Sequence, residues 1–141
     1  MNTNFDRAQK GSPYYYVDYF GRVADDIDAR SRSDDLIYGN ENYYLDKDRA
    51  LNDARADFLM RKLRNFSLKR QKDGVSWDNS TAKFCILFDN LKRDLFVTCN
   101  SYMHGFGQIY FETLVDAEDA IKEFETELLW YFKEYSNRKP S

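Results

Sequence analysis

Histidine occurs once, at His104, beside Gly105 and three residues before Gly107. An imidazole acting as general base needs an orienting acid and a nucleophile within reach. No Ser/His/Asp order, phosphate-cradling glycine loop or metal-ligand spacing accompanies it. His104 therefore reads as a loop residue, and the chain as non-enzymatic, with no cofactor and no bound metal. A second group, Asp25, Asp26 and Asp28, with Asp34 and Asp35 beyond two arginines, has carboxylates enough for Ca²⁺. It lacks the spacing and closing glutamate of an EF-hand loop, and reads as a solvated acidic stretch in which Asp25, Asp26 and Asp28 could meet a partner. Cys85 and Cys99 form no Cys-x-x-Cys pair and fit free thiols in a reducing compartment. Their spacing also lets them face each other on adjacent strands, which leaves a disulfide open.

Two charged stretches remain. Arg61, Lys62, Arg64, Lys69, Arg70 and Lys72 make one segment basic, and Asp116, Glu118, Asp119, Glu123, Glu125 and Glu127 make another acidic. Cations at helix C-termini and anions at N-termini are favoured by the helix dipole, which accounts for part of both. What is left over is an acidic face able to occupy a basic groove by charge complementarity, or a basic patch that touches phosphate. Trp130 lies roughly 140° from the apolar side of its helix at 100° per residue, so it should project outwards, as a partner anchor or to cover a neighbouring helix or a homodimer partner. The alternative nucleic-acid surface would use Phe106 and Tyr110 with Arg61, Arg64, Lys69 and Arg70. Net charge is -3, and aromatics make up 17% of 141 residues, including 11 Tyr and 11 Phe. Nothing in the overall charge pulls the chain towards nucleic acid or an anionic membrane.

These residues must be positioned by elements the patterning indicates. Residues 1–13 are polar apart from Phe5 and read as a tail; no run reaches the length of a membrane span, so the expected location is cytoplasmic. Tyr14 to Tyr19 and Val23 to Ile27 read as a hairpin turning at Gly21. Asp28 to Asp35 is a polar loop, followed by short strand material at Leu36 to Tyr38 and Asn42 to Leu45. Asp46 caps a helix whose stripe comprises Leu51, Ala54, Phe58, Leu59, Leu63 and Phe66, ending a first repeat at residues 14–70. Residues 71–82 read as a linker. The second repeat, 83–135, has strands at Lys83 to Phe88, Asp94 to Cys99 and Gln108 to Phe111. A helix then starts at Thr113, with Asp116 three residues on as in a capping box. Its stripe runs through Ala117, Ile121, Phe124, Leu128, Tyr131, Phe132 and Tyr135; residues 136–141 form a second tail.

The stretch from His104 to Phe111, with Ile86 to Leu91, looks like the paired signatures of an RNA-recognition motif. Only 13 residues separate Leu91 from Gly105. A helix, a strand and their loops need roughly 25, so that topology does not fit. A duplication explains the same residues. Asn42, Tyr43, Tyr44, Asp46, Ala50 and Ala54 align with Ile109, Tyr110, Phe111, Thr113, Ala117 and Ile121 at a constant offset of 67. The expected fold is α+β: two tandem β-β-β-α repeats forming one antiparallel sheet packed against two helices.

This duplicated pattern, with Asn42-Tyr43-Tyr44 before one capped helix and Gly107 to Thr113 before the other, resembles small accessory proteins of bacterial phages and prophages over nearly all of Tyr14 to Tyr135. The resemblance implies an anti-defence factor such as an anti-CRISPR inhibitor acting in the host cytosol. Its partner would be a host protein, with a Cas nuclease as the leading target, and no functional residue carries over from the group. On that expectation Trp130, Asp116, Glu118, Asp119, Glu123 and Glu127, with Asp25, Asp26 and Asp28, are the partner-binding candidates.

Overall fold

Aromatic and β-branched residues alternating from Tyr14 suit a strand with one buried face. In the computed structural model, which describes residues 6–138, β1 (Pro13–Val17) pairs antiparallel with β2 (Val23–Ile27), placing Tyr15 opposite Asp25 and Val17 opposite Val23. Asp18 closes the turn by accepting from the backbone N–H groups of Phe20 and Arg22, at 2.9 Å each. Gly21 sits there at φ +78°, a left-handed conformation free of the usual Cβ penalty.

The segment Asp28 to Tyr38 departs from expectation. Leu36 to Tyr38 is not strand; it lies in helix α1 (Arg32–Gly39). Ser31 caps α1, its side chain accepting from Asp34 N while the Asp34 side chain accepts from Ser31 N. That reciprocal cap stabilises a turn that composition alone reads as loop. Helix α2 (Lys47–Arg70) begins where Asp46 Oδ1 accepts from Asp48 N at 2.9 Å. Of its expected stripe, Leu59 and Leu63 are buried, whereas Leu51 and Phe58 are about half exposed and Ala50 and Ala56 are buried in their place.

β3 (Lys83–Asp89) and β4 (Asp94–Asn100) form a second hairpin, Ile86 opposite Val97. Helix α3 (Leu114–Trp130) starts at Thr113, whose hydroxyl accepts from Asp116 N at 3.1 Å. The expected helix to Tyr135 is not uniform: Phe124 has non-helical dihedrals, and Tyr131–Tyr135 is a π-helical turn. No helix among the described residues is long and apolar enough to cross a membrane.

The fold is α+β, but its strands form two small antiparallel sheets of two strands each rather than one continuous sheet. The chain divides into a first unit up to Phe58 and a second unit, Leu59–Arg138. The expected third strands shrink to single bridges, Tyr15 with Tyr44 and Phe84 with Phe111, each made by two reciprocal backbone hydrogen bonds of 2.7–3.0 Å. Beyond the first bridge, the Asn42 side chain substitutes for a strand: Val17 N donates to its Oδ1 and its Nδ2 donates to Val17 O, both at 2.8 Å.

The core of the first unit is aromatic, Tyr14 stacked on Tyr43 at 4.3 Å between centroids with Ala8 buried beside them. Ala8 and Arg7 fall in the stretch read as tail, and only residues 1–5 of that stretch, Phe5 included, lie outside the described residues. The second unit has the larger core, built on Leu59, Leu63, Ile86, Phe111, Ala117 and Leu128. In the second tail, residues 139–141 lie outside the described residues, while Arg138 stacks over the Tyr135 ring at 3.6 Å.

The disulfide left open by spacing is not formed; both cysteines are free. Register explains it. Cys85 faces Thr98 and Cys99 faces Phe84, and neighbouring positions on a strand project to opposite faces. Burial pushes the Cys85 thiol pKa upward, and the nearby Cys99 adds to the shift.

Candidate functional site

In the first unit, Asp25 and Asp26 are exposed on β2, but Asp28 is fully buried and is no surface acid. Arg7 donates to it twice, at 2.8 and 3.1 Å; Arg30 Nη1 at 2.6 Å, the Tyr43 hydroxyl at 2.8 Å and Arg30 N at 3.0 Å complete its shell. The Arg7 hydrogen bonds, outweighing desolvation and helped by Tyr43 and the Arg30 backbone, hold the Asp28 carboxyl far below the usual carboxylate range. Asp34, also buried, accepts from Tyr14 OH at 2.8 Å and from Ala29 N and Ser31 N. The acidic stretch is thus partly an internal scaffold, because a buried carboxylate is tolerated only when its oxygens are paired.

The charged helices of the second unit are also partly engaged with each other. Arg70 Nη1 lies 2.6 Å from Asp119 and 3.8 Å from Asp116, and its guanidinium covers the Phe66 ring at 4.4 Å. One candidate for phosphate and two for partner contact are therefore joined in one local ion pair. Glu118, Glu123, Arg61, Arg64 and Lys69 are exposed, and Glu127 is half-buried. Trp130, expected to project outwards, is half-buried with its ring 5.4 Å from that of Tyr135.

Residues 71–82 do more than link. Trp77 stacks on His104 at 3.9 Å, Tyr110 meets both rings edge-on, and Lys83 Nζ lies 4.3 Å from the Trp77 centroid while donating to Ser101 O at 2.7 Å. Lys83 is almost wholly buried, its cation held by a carbonyl and an aromatic face. The Glu112 carboxylate accepts from the backbone N–H groups of Lys72, Asp73 and Gly74. Desolvation opposes its ionisation, yet those three donors hold its pKa below the ordinary value. Trp77 and Glu112 together fix the base of the loop 101–110.

That loop carries Phe106 to the surface. Gly107 at φ +72° turns the chain, and at Gly105 a Cβ would come within 3.3 Å of Gln108 Cβ. Between these glycines Phe106 is fully exposed, with Tyr102 and Met103 also largely in solvent. Phe106 stands at a cleft of about 220 Å³. One wall is Leu59, Met60 and Leu63 of α2; β3 contributes Ile86 and Leu87; Leu128, Tyr131 and Phe132 line the rest, with Gln108 and Ile109 beside Phe106.

The cleft is smaller than the ~300–1,000 Å³ of pockets that enclose a drug-sized ligand, so it suits a few apolar side chains of a larger partner. Among the described residues no group of three or more His, Cys, Asp or Glu is placed to hold a metal ion. Of the candidates named from sequence, Phe106 alone lines this cleft. The others there, such as Met60 and Leu87, look like ordinary core positions, and the one available signal was an aromatic between two glycines. No protein-family model, curated protein or solved structure matches the chain.

Proposed function

We propose that this chain is a non-enzymatic binding protein that engages a protein partner through the apolar cleft of its second unit. The observation that carries the reading is Phe106: a fully exposed aromatic at the mouth of a cleft walled by leucine, isoleucine and aromatic side chains. Scattered exposed apolar residues are ordinary, whereas an exposed ring that adjoins an apolar groove marks an interaction site, and aromatic rings are frequent binding anchors. Its narrower form is a phage accessory protein that occupies a host defence effector, with a CRISPR-Cas nuclease as target. This form is supported by the phage-like pattern of Tyr14 to Tyr135. The exposed Asp25, Asp26, Glu118 and Glu123 would add charge complementarity towards a basic, nucleic-acid-binding target.

The same proposal includes an origin by tandem duplication of a β-β-β-α unit. Support comes from the constant offset of 67 between the two strand-cap-helix junctions and from the matching bridges, Tyr15 with Tyr44 and Phe84 with Phe111. Each bridge ties the first strand of a hairpin to the residue two positions before a helix cap.

A cleavage-protection assay against a panel of purified Cas nucleases tests the narrower form. The intact chain should protect the substrate and Phe106→Ala should protect about tenfold less well. Lack of protection by the intact chain across the panel would remove the nuclease as target. Protection undiminished in Phe106→Ala would move the contact away from the cleft.

A further inference from the structure

Resting on the reading of the cleft as partner site, we propose that its occupant is an extended peptide that adds to β3 as an antiparallel strand along Ile86–Phe88. Both backbone groups of Phe84 bond to Phe111, on the side of β3 away from β4. Pairing sides alternate along an antiparallel strand, so Ile86 and Phe88 present their N–H and C=O groups to that same side. Among the described residues, bridging on this side stops at Phe84. On this side, among the described residues, Ile86 O receives only the Gln108 Nε2 contact at 3.5 Å, longer than a well-formed hydrogen bond. The chain's own continuation turns away at Gly105 to Gln108, where Gln108 N donates to Gly105 O at 3.4 Å.

The first unit shows the same position closed. Val17 stands to Tyr15 as Ile86 stands to Phe84, and Asn42 stands to Tyr44 as Ile109 stands to Phe111. Asn42 satisfies both backbone groups of Val17; isoleucine has no side-chain donor or acceptor with which to do so. An unpaired strand edge is a template for another strand, and edges of this kind take up extended peptides through main-chain bonds with side chains seated in adjoining pockets. Here the adjoining pocket is the apolar cleft, to which Ile86 and Leu87 themselves contribute.

Charge at the margins narrows the peptide. Arg93 lies over the Phe88 ring at 5.2 Å, and Arg64 Nε reaches Met60 O on the cleft wall. Neither guanidinium forms an ion pair among the described residues. An antiparallel occupant runs from Phe88 towards Phe84, so the carboxylate that meets Arg93 belongs near its N-terminal end. The preferred ligand is a segment with an acidic N-terminal residue followed by alternating apolar positions.

The test uses the intact chain and a fluorescent peptide, Glu-Val-Thr-Val-Thr-Val-Thr, titrated by anisotropy. Two backbone N-methylated forms each block one edge of the peptide while keeping its side chains. Strand addition requires that one form bind at least about tenfold more weakly than the parent and the other bind as well as the parent, since two or more main-chain bonds are lost on one edge only. Ile109→Asn, which places the Asn42 amide at the open position, should weaken the parent peptide similarly relative to Ile109→Ala, which loses the same packing against the core without supplying an amide. If both methylated forms bind like the parent and Phe106→Ala abolishes binding, strand addition is wrong while the cleft reading stands. If the parent does not bind at all, strand addition by this peptide class is excluded; Phe106→Ala in the protection assay then judges the cleft separately. A dimer in sedimentation that Ile109→Asn dissolves would assign the edge to a second copy and overturn the peptide.

Discussion

At the scale of single residues, the strongest constraint is the charge on Asp28. Arg7 and Arg30 pair with it but keep 21% and 37% of their side chains in solvent, while Asp28 keeps none. Asp28→Asn removes the charge at nearly constant volume and should cost about 3 kcal/mol, the low end for a broken buried pair, read from the shift in urea midpoint. Because Asp28 and Asp34 both have depressed carboxyl pKa values, the unfolded chain binds more protons than the folded one in acid. Their stabilisation is complete above the unfolded carboxylate value of about 4 and is lost as pH falls through the folded values. Tyr14 and Tyr43 act oppositely: burial, then Asp34 for Tyr14 and Asp28 for Tyr43, raises their hydroxyl pKa values. Their contribution is complete below the unfolded tyrosine value of about 10 and lost above it. Unfolding midpoints should therefore form a plateau between about pH 4 and 10, and Asp28→Asn should flatten the acid limb. None of this was legible in composition, where Asp28 resembles Asp25 and Asp26; its partner Arg7 lies 21 residues away, in a stretch too polar to suggest packing.

At the scale of elements, the second hairpin and α3 were legible because turn residues, caps and periodicity agree there, whereas α2 was legible as a helix but not in its buried face, where Ala50 and Ala56 stand in place of Leu51 and Phe58. Asp89 to Arg93 turns the second hairpin, and Thr113 with Asp116 starts α3. Helix α1 was missed although Ser31 and Asp34 have capping-box spacing, because the flanking charges hid a helix only eight residues long. The third strands were over-read, since Tyr44 and Phe111 each carry the pattern of a strand but pair at a single residue. That shortness makes the side chain of Asn42 an element in its own right. Asn42→Ala should destabilise the first unit by about 1–2 kcal/mol, the value of two replaced hydrogen bonds. It should also speed hydrogen exchange at Val17 N while leaving Tyr44 N protected, which amide exchange with residue resolution would reveal.

At the scale of the whole molecule, two hairpins are each tied to the approach to a helix by one reciprocal bridge. Amides at Tyr15 and Tyr44, and again at Phe84 and Phe111, should be protected from exchange by the two bridges. Protection of only one pair would break the equivalence of the two halves. The offset of 67 anticipates the matching positions of the two bridges; the contrast between Asn42 and Ile109 was not legible, because a side-chain amide that closes a strand edge leaves no mark in hydropathy. On the duplication reading, Asn42 and Ile109 descend from one ancestral position. Asparagine and isoleucine codons differ by a single base, AAT against ATT. One point mutation after the gene doubled would then have been enough to unlatch one copy while its sibling stayed closed, giving selection a recruitable strand without touching the rest of the fold.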